Sequence, residues 1–274
     1  MPDWLAQHEP VLRLAIFAVL FAAFAAWELL LPRRWLRDSK PHRWFTNLGV
    51  FALDVALVRV LFPLSAVGFA ELAQRYELGL LQLIALPGWL QVFCAVVLLD
   101  LVIYWQHRLF HKVPVLWRLH KVHHADLDID MTTGIRFHPL EILLSMLIKL
   151  LAVLLIGAPA LAIVLFEVVL NGTALFNHAN IFIRPGVDRI LRLVVVTPDM
   201  HRVHHSSNFT ETNSNYGFNL PWWDRLFASY RAQPQAGHTD MHIGLRGIPE
   251  RQTLARLLLL PFRPRGQQPV TSQV

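Results

Sequence analysis

The chain has 274 residues, of which 54% are hydrophobic and 16% are charged, and lysine and arginine together exceed the acidic residues by six. This composition excludes a disordered or collagen-like chain, and a mean hydropathy of +0.41 is unusual for a soluble domain. Because the basic residues flank long apolar blocks instead of forming one basic stripe, the pattern favours a polytopic membrane protein over a nucleic-acid-binding protein.

The first apolar block covers residues 11–31, long enough to cross a hydrocarbon core of ~30 Å as a helix that rises ~1.5 Å per residue. A cleaved signal peptide is the alternative, because Ala23-Phe24-Ala25 resembles a cleavage site. However, no basic segment precedes the block and the apolar run continues to Leu31. We therefore predict an uncleaved spanning helix, followed by a basic loop over residues 33–43.

Three further apolar blocks follow. The second covers residues 45–69 and is interrupted by Asp54, Arg59 and Pro63, and the mixed stretch 71–87 is predicted to lie at the membrane interface. The third covers residues 87–105. The fourth, residues 142–176, is too long for one crossing and contains Gly157-Ala158-Pro159, which predicts a helical hairpin. We therefore expect an all-α polytopic membrane protein with four or five embedded helices and a histidine-rich cap.

Counting these crossings places three basic segments on one side of the membrane: residues 33–43, residues 106–141 and the C-terminal tail. The positive-inside rule assigns that side to the cytoplasm, and the clustered histidines lie there too. The excess of arginine over lysine indicates a bacterial protein, and hence the bacterial inner membrane. We divide the chain into N-terminal membrane helices (1–97), a catalytic domain (98–230) and a cytoplasmic tail (231–274).

Nine of the fourteen histidines occur in closely spaced motifs or beside the end of the hairpin. They are His107, His111, His120, His123, His124, His178, His201, His204 and His205. On a helix, positions three and four apart share one face, whereas adjacent positions are splayed by about 100°. The splay predicts that neighbouring histidines serve two different metal ions. We interpret the isolated His8, His42, His238 and His242 as interfacial or hydrogen-bonded residues.

Imidazole binds iron, zinc, copper and nickel, so the ligand type alone leaves the metal open. Structural zinc sites are usually rich in cysteine, and the chain has one cysteine. The sequence also lacks the H-E-x-x-H motif of zinc proteases and the E-x-x-H motif of carboxylate-bridged di-iron bundles. An all-histidine, two-metal site beside a membrane favours activation of O2 by iron against a C–H bond of a lipid.

Several motifs extend the pattern beyond the histidines, between residues 98 and 230. They are Tyr104-Trp105-Gln106-His107, Arg136-Phe137-His138-Pro139, Asn177-His178-Ala179-Asn180, Thr197-Pro198-Asp199-Met200-His201 and Trp223-Asp224-Arg225-Leu226-Phe227. With them the chain resembles the fatty acid hydroxylase/sterol desaturase superfamily of integral-membrane, non-haem di-iron oxygenases. The resemblance implies two iron ions held by the nine histidines, O2 as co-substrate, and a lipid or sterol-like substrate that is hydroxylated or desaturated.

Three polar residues are candidates to support the ligands. His138 is either a ligand, a donor to a ligand, or the cap of the helix that starts at Pro139. Asp100 is expected to pair with Lys149 or to bind a ligand histidine, unless Lys149 extends to the interface instead. Asp224 either caps a helix that begins near Arg225 or holds a ligand histidine.

Other polar and aromatic residues admit two interpretations each. Glu167 and the pair Asp54 and Arg59 are candidates for ion pairs inside the membrane region. Three tryptophans either line a substrate entrance or anchor the protein at the interface: Trp105, Trp222 and Trp223.

The sequence lacks the His-Pro-Gly-Gly haem signature, so electrons are expected from a separate donor such as a reductase, a ferredoxin or a cytochrome. Alternatives within the superfamily are a lipid desaturase and an ether-lipid monooxygenase. A histidine-rich metal transporter or sensor is disfavoured because the histidine clusters lie outside the predicted spans. We expect no nucleic-acid partner.

Overall fold

A computed structural model describes residues 3–248 and 252–263, and in this part of the chain it contains helices and loops but no sheet. The α-helices are α1 (Asp3–Leu30), α2 (Lys40–Leu61), α3 (Ala66–Arg75), α4 (Gly88–Lys112), α5 (Pro114–His124), α6 (Pro139–Ile156), α7 (Ala160–His178), α8 (Pro185–Leu191), α9 (Pro198–His204), α10 (Phe209–Thr212), α11 (Trp222–Leu226), α12 (Gly237–Asp240) and α13 (Leu254–Leu259). The predicted all-α class is confirmed. Residues 249–251 and 264–274 of the predicted tail lie outside the described residues.

Among the described residues, five helical segments are long and apolar enough to cross a membrane, which confirms the predicted four or five embedded helices. They are Gln7–Leu30, Lys40–Gln82, Gly88–Lys112, Pro139–Ile156 and Ala160–His178. The second segment contains both α2 and α3, and the break between these two helices falls around Pro63. Large apolar side chains such as Val11, Leu14 and Val19 remain exposed on α1, as expected for a helix that faces lipid.

Helix α4 is longer than its apolar block. The apolar run ends at Trp105, but the helix continues to Lys112, so it extends beyond the predicted end at the membrane surface. We define the cap as α5, α8–α13 and the loops next to these helices. The additional turns of α4 are polar because they enter this cap. The extension keeps His107 and His111 on one continuous helix.

The hairpin predicted at Gly157-Ala158-Pro159 is confirmed, because α6 ends at Ile156 and α7 begins at Ala160. Its turn packs against the segment after α3, where Gln82 Nε2 donates to the Gly157 carbonyl at 2.9 Å. Position 79 must be glycine, because a Cβ there would lie 2.2 Å from the Gly157 nitrogen. Because α7 ends at His178, this contact fixes the end of the bundle opposite to the histidines.

At the histidine end, α1 and α2 are tied to the cap by buried charges. Arg43 Nε and Nη2 donate to both carboxylate oxygens of Asp126 at 3.1 and 2.8 Å, and Arg43 also binds Asp130. Glu28 Oε1 accepts the backbone N–H groups of Met131 and Asn180 at 2.7 and 2.8 Å. These contacts hold the segment before α6 and the segment after α7 against the ends of the membrane helices.

Candidate metal centre

The structure brings all nine motif histidines together in two adjacent groups. The first group is His107, His111, His120, His124 and His204, and the second group is His123, His178, His201 and His205. Within each group, one nitrogen atom from every histidine lies within 4.8 Å of the others. The neighbours His123 and His124 fall in different groups, as do His204 and His205, which is the division that the splay of adjacent residues predicts.

Four helices present these rings, and local sequence fixes where the two short ones begin. Pro114 occupies the first turn of α5, where its missing N–H would have had no partner in the helix. Helix α9 has Pro198 in the same place, and the preceding Thr197 side chain accepts a hydrogen bond from the Met200 N–H. These starts set the rotation of each helix, and with it the face that carries the histidines.

Backbone carbonyl groups hold the outer nitrogen of four rings. The Nδ1 atoms of these histidines donate as follows: His107 to Tyr216 at 2.8 Å, His123 to Arg136 at 3.2 Å, His178 to Ala174 at 2.8 Å, and His204 to Ser214 at 2.7 Å. A carbonyl oxygen can only accept, so Nδ1 must carry the proton in each ring. In a neutral imidazole the Nε2 atom then presents a lone pair to the centre of its group.

These lone pairs test whether the residues present fit a metal ion. In the first group, all five Nε2 atoms are buried and have no hydrogen-bond partner in the part of the chain that the structure describes. In the second group, Nε2 of His178 lies 3.1 Å from Nε2 of His123, although both atoms carry lone pairs that repel. Two nitrogens bound to one ion at ~2.1 Å, with an angle near 90–110°, lie about 3.0–3.4 Å apart. The donor set therefore fits a cation in each group.

Burial sets the protonation of the cap histidines. It lowers the pKa of His120 to about 3, and together with the neighbouring His107 it lowers the pKa of His204 well below its usual value. Burial would raise the pKa of Asp126, but Arg43 and Arg136 hold it at about 2. The imidazoles are therefore neutral, which is the form that binds metal, and the nearby carboxylate is charged.

The predicted pair between Asp100 and Lys149 is wrong, and Asp100 does not bind a ligand histidine either. Asp100 accepts hydrogen bonds from Trp223 Nε1 at 2.8 Å and from the backbone N–H of Leu220 at 3.2 Å. Lys149 instead binds Glu167, which also contacts Arg13. Asp100 therefore positions the segment that follows Tyr216, whose carbonyl holds His107.

Of the three roles considered for His138, the structure supports the helix cap. Its Nδ1 accepts the N–H of Leu140 at 3.1 Å, and its Nε2 donates to the Leu258 carbonyl at 3.2 Å. Both ring nitrogens are therefore engaged away from the two groups. The isolated histidines also lie elsewhere: His8, His42 and His242 contact Trp4, Asp38 and Arg37, and His238 lies 3.6 Å from Asp199.

Asp224 fills neither of its two predicted roles. The residue that precedes α11 is Pro221, and no hydrogen bond joins Asp224 to a histidine in the described part of the structure. Its two carboxylate oxygens accept the backbone N–H groups of Tyr216 and Gly217, both at 2.8 Å. Asp224 thus fixes the loop whose Tyr216 carbonyl orients His107, so it acts on that ring through one intermediate residue.

The predictions for the other polar and aromatic candidates have different outcomes. Glu167 makes the ion pairs predicted for it, whereas both carboxylate oxygens of the buried Asp54 lack a hydrogen-bond partner among the residues described. Trp223 binds Asp100, and Trp222 Nε1 donates to the Leu193 carbonyl at 2.7 Å. The proposed entrance lined by tryptophans stays a prediction.

Sequence reasoning missed Glu141 as a partner of a motif histidine. His120 Nδ1 donates to Glu141 Oε1 at 2.6 Å, and both side chains are buried. Glu141 lies in the first turn of α6, so its position in the sequence is equally consistent with a favourable interaction with the helix dipole. Only the packing of α6 against α5 identifies its partner.

We expect Glu141→Gln to weaken metal binding about 10–100-fold, the usual cost of losing a carboxylate behind a metal-bound histidine. The amide still reaches His120 but lacks the carboxylate that would strengthen the ring as a ligand. Metal retained after dialysis against graded chelator measures the effect. Glu71→Gln, an exposed change on α3, is the control. Equal retention in the Glu141 variant and the wild type would contradict this role.

Comparison with known proteins gives one family and several relatives. The family model described as fatty acid hydroxylase matches residues 92–229. Ornithine lipid hydroxylase OlsE of Rhizobium tropici is 30% identical over 93% of this chain and 77% of its own length. Human alkylglycerol monooxygenase is 30% identical over 53% of this chain and 31% of its own length. A Delta(7)-sterol 5(6)-desaturase of Leptosphaeria maculans is 26% identical over 65% of this chain and 50% of its own length. No solved structure matches the chain.

Proposed function

The chain belongs to the fatty acid hydroxylase family, and on that premise we propose that its two histidine groups hold two iron ions in an O2-dependent enzyme that oxidises a membrane lipid. The observation that carries the proposal is the convergence of buried Nε2 lone pairs in two groups of five and four histidines. Hydroxylases, monooxygenases and desaturases are oxidoreductases, and the chain is an oxidoreductase of this family.

Bound iron would supply the activation of O2 needed to attack an unactivated C–H bond. The chain's own residues hold and orient the ligand rings through the carbonyl groups behind them and through Glu141. Eight of the nine histidines are buried and His111 is half-buried, so the protein keeps bulk water away from the reacting atoms. Asp100 and Asp224 keep the Tyr216 loop against His107.

Hydroxylation of a lipid is the reaction that the relatives favour. The similarity to the ornithine lipid hydroxylase extends over 93% of this chain, whereas the human alkylglycerol monooxygenase aligns with 53% of it. The chain spans about three quarters of the former protein but less than a third of the latter. Desaturation is the second candidate, because a sterol desaturase also aligns with 65% of this chain.

We further propose that the histidine end of the bundle faces the cytoplasm of a bacterial cell. The basic residues near that end support this orientation, among them Arg33, Arg34, Arg37, Lys112 and Arg118. A separate reductase, ferredoxin or cytochrome on the same side would deliver the electrons. A transporter is disfavoured because both histidine groups lie at one end of the bundle instead of along it.

The proposal is tested on the purified full-length protein in detergent. We expect about two iron ions per chain and, with 18O2, a reductant and a bacterial lipid extract, a product that gains one 18O atom. A product that loses two hydrogens and gains no label would indicate desaturation instead. Chelated protein is the control, and added iron(II) should restore its activity. A single, freely exchangeable ion and no lipid product would contradict the proposal.

A further inference from the structure

A polar cavity of about 740 Å³ lies beside the histidine groups, at the start of α2. Its lining includes Arg37, Asp38, His42, Asp126, Asp128 and Arg136. The cavity wall continues into the metal centre, because Asp126 follows His124 by two residues and the Arg136 carbonyl accepts a hydrogen bond from His123. A molecule bound in the cavity would therefore contact the same segments that hold the motif histidines.

Some charges in the cavity wall already have partners. Arg43 and Asp126 bind each other, so neither has a charge left for a ligand. Asp128 differs: its Oδ2 accepts the backbone N–H groups of Arg37 and Asp38 at 2.7 and 2.9 Å, but its buried Oδ1 has no hydrogen-bond partner within residues 3–248 and 252–263. A buried carboxylate oxygen without a partner is costly, and this cost is relieved when a ligand donates to it.

Guanidinium groups with unpaired N–H donors line the same cavity. Arg136 is buried, and its Nη1 atom lies 3.5 Å from Asp126 Oδ2, but its Nη2 atom has no hydrogen-bond partner among the described residues. Arg37 is exposed, and in the described part of the chain its guanidinium has one hydrogen-bond partner, the ring of His242 at 3.3 Å. Guanidinium groups bind carboxylates and phosphates through paired hydrogen bonds. The cavity thus offers one acceptor for a cationic group and two donors for an anionic group.

The cavity lies where lipid headgroups are found. The second candidate span begins at Lys40, and the lining residues 37–46 cover the loop before it and its first turns. The polar layer of a bilayer lies just outside its hydrocarbon core, so this level corresponds to headgroups. The volume also falls within the range of about 300–1,000 Å³ that is usual for small-molecule sites.

We propose that this cavity binds the headgroup of the lipid substrate, and that the headgroup is zwitterionic. Its ammonium group donates to Asp128, and its carboxylate or phosphate accepts from Arg37 and Arg136. A sterol hydroxyl or an uncharged diacylglycerol satisfies neither charge, and a purely anionic headgroup leaves Asp128 without a partner. The inference rests on the proposed function, because it names the class of lipid that the enzyme oxidises.

The test measures binding, which does not require turnover. Full-length protein in detergent, with and without iron, is titrated with four fluorescent lipids: an N-acylated amino-acid lipid with a free amine and a free carboxylate, phosphatidylethanolamine, phosphatidylglycerol and diacylglycerol. The wild type is expected to bind the first two at least about 10-fold more tightly than the others, since hydrogen bonds to charged groups contribute about that much. The tighter of the two zwitterionic lipids identifies the source of the headgroup.

Two variants test the acidic and the basic side of the cavity separately. Asp128→Asn keeps an oxygen for the two backbone N–H groups and is expected to weaken binding of zwitterionic lipids about 10-fold, without weakening that of phosphatidylglycerol. Arg37→Gln is expected to weaken binding of both zwitterionic and anionic lipids. The control is Arg189→Gln, an exposed change on α8. If the Asp128 variant fails to fold, the Arg37 variant alone decides, because that side chain is exposed.

The proposal is overturned if the wild type binds all four lipids equally, or if both variants bind every lipid as the wild type does. It is also overturned if a free amino acid competes as strongly as the amino-acid lipid, since the ligand would then be a soluble zwitterion. Failure of the proposed function looks different: zwitterionic lipids would bind with the expected preference, but no lipid would be oxidised when iron, O2 and a reductant are present.

Discussion

We expect His123→Ala and His124→Ala each to lose one of the two iron ions, and to lose a different one. The two residues adjoin in the chain, but His123 belongs to the group of four histidines and His124 to the group of five. Each variant should keep about one iron ion per chain. Product formation should fall more than about 100-fold in both, because even the partners behind metal ligands cost about 10–100-fold when removed.

Metal analysis of each purified variant, combined with turnover of the lipid substrate, measures this result. His8→Ala is the matched control, because that ring is exposed and contacts only the Trp4 carbonyl and ring near the start of α1. The control should keep two iron ions and wild-type turnover. If either the His123 or the His124 variant retains two ions and full activity, the assignment of that residue to a metal-binding group is wrong.

The division of the histidines into two groups was predictable because it depends on local geometry. Adjacent residues on a helix point about 100° apart, so the pairs that end α5 and α9 face different centres whatever the rest of the fold does. The helical hairpin was predictable for the same reason, since Gly157 and Pro159 act on the residues next to them. The bounds of α4 were less predictable, because hydropathy marks the membrane and not the end of a helix that enters the cap.

The polar partners depend on contacts distant in sequence, and the predictions for them were mostly wrong. The prediction paired Lys149 with Asp100, but the hairpin itself offers a closer partner. Lys149 precedes Gly157 by eight residues and Glu167 follows Pro159 by eight, so the antiparallel helices place the two side chains at the same level. Applying the hairpin symmetry would have predicted this pair.

The groups behind the histidine rings could not be predicted from residue types. Four of them are backbone carbonyls, of Tyr216, Arg136, Ala174 and Ser214, and every residue has one. Which carbonyl meets a ring depends on how the loops of the cap pack, and that is fixed by residues such as Asp224. The role of Asp224 was accordingly missed, although the residue itself was selected.

The ion pair inside the hairpin should have a large effect on stability. Glu167 is buried and binds both Lys149 and Arg13, so Glu167→Gln leaves the Lys149 ammonium without an acid in the apolar part of the bundle. We expect the variant to lose about 3–5 kcal/mol of unfolding free energy, the usual cost of removing one partner of a buried pair. Arg13 is affected less, because it also binds Glu9 at 3.1 Å.

A second variant separates the loss of the pair from damage to packing. Glu167→Gln combined with Lys149→Met removes the isolated ammonium, so it should recover most of the stability in denaturant titrations of the detergent-solubilised protein. If the single variant lies within about 0.5 kcal/mol of the wild type, as surface changes usually do, the pair is not a stabilising element. Helix α6 carries Glu141 and α7 carries His178, so a hairpin loosened by the single variant should also retain less iron, and the double variant should regain it together with stability.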